Sequence, residues 1–165
     1  METSLAGKIA LVTGGNSGIG RAAALALAEH RANVIVSARR QNESEAVVEQ
    51  IRTAGGQAEF VPNDVARARQ VKDLVEGIAE RHGRLDCASG NTGTFKGGPV
   101  HEMSEQDWDE VCNINLKDVW LCMKYQVAQM LRQGGGVIVN NSSIYGISAD
   151  ANAWAYSPPN TAYRG

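Results

Sequence analysis

"KIALVTGGNSGIGRAAALALAEH", residues 8–30, decides how the rest of the chain is read. Ile9 to Val12 is an unbroken apolar run closed by Thr13 and glycine. Such a run, short and bounded by turn residues, marks a strand buried on both faces. From Gly18 onward alanine and leucine recur at helical spacing. Between strand and helix stand Gly14, Gly18 and Gly20, in a G-x-x-x-G-x-G spacing. Glycine allows a tight turn and lets a backbone come close. The first N–H groups of a helix have no partner within it, and its dipole is positive at that end. Strand, glycine turn and helix together predict a phosphate-binding loop, with Asn16, Ser17 and Ile19 as its remaining contacts.

The same alternation continues outward. "NVIVSA" reads as a second strand, "AEFVP" as a third, "LDCAS" as a fourth and "GVIVNNSS" as a fifth. Amphipathic helical patterns separate them: "ESEAVVEQIRTAGG", "RARQVKDLVEGIAERHG", then "SEQDWDEVCNIN" and "LKDVWLCMKYQVAQMLRQGGG". Ser104, three residues before Asp107, is placed to cap the first of the last two. Short strands alternating with longer helices predict βαβ units with right-handed crossovers. The expected architecture is α/β: a doubly wound, Rossmann-type parallel sheet of about five strands, helices on both faces, first strand near the middle.

Composition narrows the function. A net charge of −2 with no basic stripe argues against nucleic acid. No apolar run approaches the roughly 20 residues of a membrane helix. The apolar stretch near the N-terminus, Ile9 to Val12, is too short for a signal peptide, so a cytoplasmic protein is expected. Cys87, Cys112 and Cys122 fit no zinc spacing, and the expectation is buried free thiols with no metal site.

The second strand ends in "SARRQ". A site for NAD usually carries an acidic residue here, for the ribose 2′-hydroxyl. This chain has Arg39 and Arg40, and a guanidinium suits a 2′-phosphate. NADP is therefore expected as cofactor, with NAD possible, and Arg39 as the phosphate reader.

These motifs in this order resemble the short-chain dehydrogenase/reductase family, from about residue 5 to residue 157. "TGGNSGIG" resembles its cofactor loop. "NDV" resembles its acidic segment after the third strand, which places Asp64 by the adenine amino group and Val65 against the ring. Asn91 and Gly93, in "GNTG", stand where the family has an N-N-A-G motif beside the cofactor. "NIN" resembles the helix motif whose last residue, Asn115, belongs to the catalytic set. Ser143 precedes Tyr156 by the family's thirteen residues. The resemblance implies hydride transfer between a nicotinamide and an alcohol/ketone pair. Tyr156 would move the proton at the substrate oxygen, Ser143 would polarise that oxygen, and Asn115 would kink its helix and hold a water.

The sequence departs from that pattern in three places. Gly90 and Thr92 replace an asparagine and an alanine of that motif beside the cofactor. Asn160 stands where the family has a lysine, four residues past the tyrosine, to supply a positive charge. The chain also ends at Gly165, whereas the family's chains typically continue. Residues 1–157 are therefore read as a truncated dinucleotide-binding domain and 158–165 as a divergent tail. Pro158 and Pro159 are expected to keep the tyrosine helix from starting, so that a lysine restored at 160 would help little. Arg164 is the one nearby cation past Tyr156. The alternative to an oxidoreductase is a catalytically disabled dinucleotide-binding module or a fragment. Partners expected are a small-molecule substrate and a second copy, through the helix of residues 115–133.

Overall fold

The computed structural model describes residues 4–148 and 152–162. Its elements follow the predicted alternation: β1 (Ile9–Thr13), α1 (Gly18–Glu29), β2 (Asn33–Ala38), α2 (Gln41–Thr53), β3 (Gln57–Pro62), α3 (Ala68–His82) and β4 (Cys87–Gly90). There follow α4 (Glu105–Cys112), α5 (Asp118–Arg132), β5 (Val137–Asn140) and α6 (Ser157–Thr161). The five strands are parallel, in the order β3-β2-β1-β4-β5, with β1 in the middle as expected.

The side-chain alternation of a strand explains why β1 and β2 are apolar throughout. Ile9, Leu11 and Ile35 face Leu74, Val75 and Ile78 of α3 and Met130 of α5. Ala10, Val12, Val34 and Val36 face the other way, onto Ala24 of α1 and Val47, Val48 and Ile51 of α2. Helices thus cover both faces, and each face of the central strands lies in its own core layer. The edge strand β5 exposes Val137 and Val139. Among the described residues no helix is long and apolar enough to cross a membrane.

The two predicted helices after β4 are joined. Ser104 caps α4, its Oγ accepting from Asp107 N at 3.1 Å. A single π-helical turn, Asn113–Lys117, links α4 to α5. Such a turn inserts one extra residue per turn and re-aims the side chain inside it, often at a functional site. Here that side chain is Asn115, 4% exposed.

The expectation that two prolines block the tyrosine helix is corrected. α6 spans Ser157–Thr161 with Pro158 and Pro159 in its first turn. The first-turn N–H groups have no partner within a helix, so prolines there forfeit no hydrogen bond. Tertiary contacts hold the short turn: Asn160 Nδ2 donates to Tyr156 O at 2.7 Å, and Ser142 Oγ donates to Asn160 O at 3.1 Å. Arg164 and the rest of the tail beyond residue 162 lie outside the described residues.

Candidate active site

Three loops meet at the carboxyl ends of the strands, where β1 parts β2 from β4. This is the switch point at which doubly wound sheets take their ligands. The loop after β1 is tied down by Gly14 N donating to Ser37 O at 2.8 Å. Gly14 and Gly18 hold φ of 65° and 52°, backbone that side chains rarely adopt. At Gly20 a β-carbon would overlap the Gly14 carbonyl and press on the Asn91 amide. Gly20 therefore serves the packing of the loop on itself and on the β4 loop.

The first turn of α1 carries no acidic residue, and Ser17 makes no side-chain cap to it. Its first N–H groups therefore have no side-chain cap from Ser17. A β-carbon at Gly18 meets nothing within 4 Å, so it projects into open space before the helix. Gly18→Val should therefore weaken NADPH binding at least roughly 10-fold, by strain at positive φ and by intrusion on the ligand. Nicotinamide fluorescence gives the affinity and circular dichroism checks that helix content is kept. An unchanged affinity would make the loop purely structural.

The two arginines after β2 divide their roles. Arg40 braces the loop: its Nη2 donates to Ser17 Oγ at 3.1 Å, and its Nη1 pairs with Glu43 at 3.1 Å. With the Asn16 amide oxygen turned toward it, Arg40 also donates to Asn16 at 2.9 Å. Arg39 is exposed and has no hydrogen-bond or ion-pair partner among the described residues. It lines a cavity of about 180 Å³ together with Gly14, Asn16, Ser17, Val65 and Asn91. Asp64, predicted beside them, does not line it. Its carboxylate accepts from Ala66 N at 3.2 Å and from Arg67 Nε at 3.3 Å, within its own loop. Asn63 lines the cavity instead.

A second cavity, of about 450 Å³, adjoins the first. Ser17, Gly18, Ile19, Asn91, Gly93, Asn115 and Tyr156 all line it. The structure thus brings together most of the residues singled out in the sequence. The Tyr156 ring sits edge-on between Phe95, at 5.4 Å between centroids, and Tyr145, at 5.8 Å. Asn115 grips the loop after β4, its Oδ1 accepting from Thr94 N at 2.8 Å and its Nδ2 donating to Thr94 O at 2.7 Å. Ser143 is not in the cavity lining. It caps a short 3₁₀ turn, Ile144–Gly146, where its Oγ accepts from Tyr145 N at 3.3 Å. Its neighbours Asn141 and Ser142 line the cavity, as do Thr92, Thr94 and Phe95. Sequence reasoning missed these, apart from Thr92, because no spacing marks them; only the sheet brings their loops together.

The family profile for short chain dehydrogenase matches residues 8–164. The chain belongs to the short-chain dehydrogenase family. It is 39% identical over 159 residues to an uncharacterized oxidoreductase of Thermotoga maritima, covering 96% of this chain and 62% of that one. It is 41% identical over 140 residues to a 3-oxoacyl-(acyl-carrier-protein) reductase of Staphylococcus epidermidis, covering 84% of this chain and 57% of that one. The solved structure of a metagenomic short-chain oxidoreductase in complex with NADP superposes with a TM-score of 0.91 at 34% identity, covering 94% of this chain and 71% of that one. The chain therefore spans about three fifths of the length of the curated relatives it matches.

Within this short-chain dehydrogenase site the fourth residue past the tyrosine is Asn160, 4% exposed. Its amide nitrogen is spent on the Tyr156 carbonyl, and its Oδ1 accepts from Ser142 Oγ at 3.4 Å. Among the described residues, no lysine, arginine or histidine lines the cavity that holds Tyr156.

Proposed function

We propose that this chain forms the cofactor and acid–base region of an NADP-preferring oxidoreductase acting on an alcohol/ketone pair, with turnover held back at Asn160. The observation that carries the cofactor reading is Arg39, an unpaired guanidinium in the wall of a small cavity beside the glycine loop. A guanidinium free of internal partners suits a 2′-phosphate, to which it can donate two parallel hydrogen bonds. Complementary features are the Gly14 and Gly18 turns, the vacant first turn of α1, and the orphaned polar groups lining the same cavity. When bound there, the nicotinamide dinucleotide supplies or accepts the hydride.

The chain's own residues do the rest. Tyr156 gives or takes the proton at the substrate oxygen, and its position between two aromatic rings restricts how its phenol can swing. Asn115 fixes the loop of Thr94, which lines the same cavity. Asp64 and Ser143 remain in the proposed set, Asp64 as a neighbour of the base and Ser143 as the residue polarising the substrate oxygen. Asn160 favours a second reading, a module that binds the dinucleotide without turnover. For a partner, the proposal is a second copy against α5, whose Trp120, Met123, Val127 and Leu131 are exposed.

The test is a titration with NADPH and NADH followed by nicotinamide fluorescence. Arg39→Asp should weaken NADPH binding by about 1.5–3 kcal/mol, the scale of hydrogen bonds to charged groups, and change NADH much less. An equal loss for both cofactors would remove the basis for the NADP preference.

A further inference from the structure

The carboxylates of α4 fall into two pairs. Asp107 and Glu110 share Lys96, whose Nζ lies 3.0 Å from the first and 3.3 Å from the second. Glu105 and Asp109, four residues apart and so on one face of the helix, have no hydrogen-bond or ion-pair partner among the described residues. Attraction to the helix dipole accounts for Glu105 in the first turn, but Asp109 lies beyond its reach. Trp108, beside Asp109, is 42% exposed. These three residues line a cleft of about 430 Å³ together with Val100, Met103 and Trp154. Trp154 is 46% exposed. Large apolar side chains gathered in a concave surface and left in water mark a binding surface. Gly98 N donates to Asn152 O at 3.0 Å, which ties together the two loop segments that line the cleft. Among the described residues no cation lines it, so Glu105 and Asp109 give it a negative charge.

We propose that this cleft binds a small organic cation, an ammonium group clothed in methyl or methylene groups. It shares no lining residue with the two cavities beside the glycine loop, so its ligand is distinct from the dinucleotide. The face of an indole ring is negative and attracts a cation more strongly than other aromatic rings do. Trp108 and Trp154 supply two such rings, and Glu105 and Asp109 supply the opposite charge. Val100 and Met103 give the apolar surface that alkyl groups on the nitrogen need. A metal ion does not fit: hard cations take about six oxygens or more, and the described residues hold no group of three or more metal-ligating side chains. An anion is repelled, and a neutral ligand leaves both carboxylates unpaired. The volume falls within the roughly 300–1,000 Å³ of small-molecule sites, which favours a free small molecule over a protein side chain.

The experiment titrates the purified chain by calorimetry with choline chloride and with its neutral analogue, in which a tert-butyl group replaces the trimethylammonium at nearly constant shape. The cation should bind at least roughly 10-fold more tightly than the analogue, the scale of cation–π contacts aided by carboxylates. Asp109→Asn should remove most of that margin and leave the analogue unchanged, and added sodium chloride should narrow it. Trp108→Leu keeps an apolar wall and should weaken the cation far more than the analogue. Circular dichroism checks that each variant keeps its helix content. A measurement without mutation stands beside these: the N-methyl protons of bound choline should show nuclear Overhauser contacts to the Trp108 and Trp154 rings. No saturable binding of choline, equal affinity for the two ligands, or contacts to other rings instead overturns the proposal. So does tighter binding of a short glycine-flanked lysine peptide, which would make the cleft a protein-docking surface.

Discussion

Asn160→Lys is expected to raise NADPH-dependent ketone reduction by roughly 10²-fold or more over the unmodified chain, the scale of a general acid–base contribution. The geometry for this is already in place. Tyr156 and Asn160 flank one turn of α6, and Asn160 lines the cavity that holds the tyrosine ring. An ammonium at that position would favour the phenolate over the phenol during proton transfer. It would also bring a positive charge to a cavity whose described lining carries none. The substitution gives up the bond from Asn160 Nδ2 to the Tyr156 carbonyl, at a cost of about 1 kcal/mol. The helix itself should survive, since Ser142 holds the Asn160 carbonyl and Ala162 N–H bonds Pro158 O. The assay is a panel of ketones at saturating NADPH, with cofactor binding measured in parallel. Rapid turnover by the unmodified chain would mean that the tyrosine works without a charge from residue 160. No gain in a variant that binds NADPH would place the deficiency elsewhere, with Thr92 the next residue to change.

The second large effect is on stability, and its source is Asp118. This residue opens α5, is 2% exposed, and has a carboxylate oxygen without a hydrogen-bond partner among the described residues. Burial pushes its pKa from the ordinary 3.8 up to about 8, against the opposing pull of the Val119 N–H. One turn on, burial and then the charge of Asp118 push the Cys122 thiol up to about 12. The native chain therefore keeps a proton on Asp118 over a range where the unfolded chain has released it. Stability must then fall as pH rises from about 4 to about 8, and level off beyond, where both states are ionised. Asp118→Asn removes this dependence. The variant should exceed the parent in unfolding free energy by on the order of 4 kcal/mol at pH 8, the gap closing toward pH 4. Urea unfolding of both chains across this range gives the difference directly. A constant gap, or a variant less stable at pH 8, would show that Asp118 is ionised and solvated in the native chain.

The alternation of short apolar runs with helical patterns was legible because the central strands β1 and β2 are buried on both faces. A strand so placed has few polar positions to blur it, and glycine flanks β1 on both sides and opens α1. The glycine turn between β1 and α1 was legible for the same local reason. Gly14 and Gly18 answer to their own backbone angles, whatever else the chain does. The substitution at residue 160 was also visible in the sequence, since a charge is either present or absent. What the local reading misjudged was α6. Two prolines argue against a helix in isolation, yet this one is held by Ser142 from eighteen residues earlier in the chain.

The roles within the cavity walls had to await the tertiary structure. Arg39 and Arg40 are equivalent in sequence; only the fold sends Arg40 to Ser17, Asn16 and Glu43 and leaves Arg39 unpaired. Asp64 and Asn63 are adjacent, and strand geometry alone decides which of them lines the small cavity. Asn115 acquires its hold on Thr94 from a single π-helical turn that no periodicity announces. The sequence alone determined the layered α/β fold, the glycine turn between β1 and α1 and the asparagine at residue 160, because these depend on local backbone preference, hydrophobic period and residue identity. The partners of each polar side chain were decided by the packed sheet, because hydrogen bonds between loops form only where distant strand ends are brought within reach.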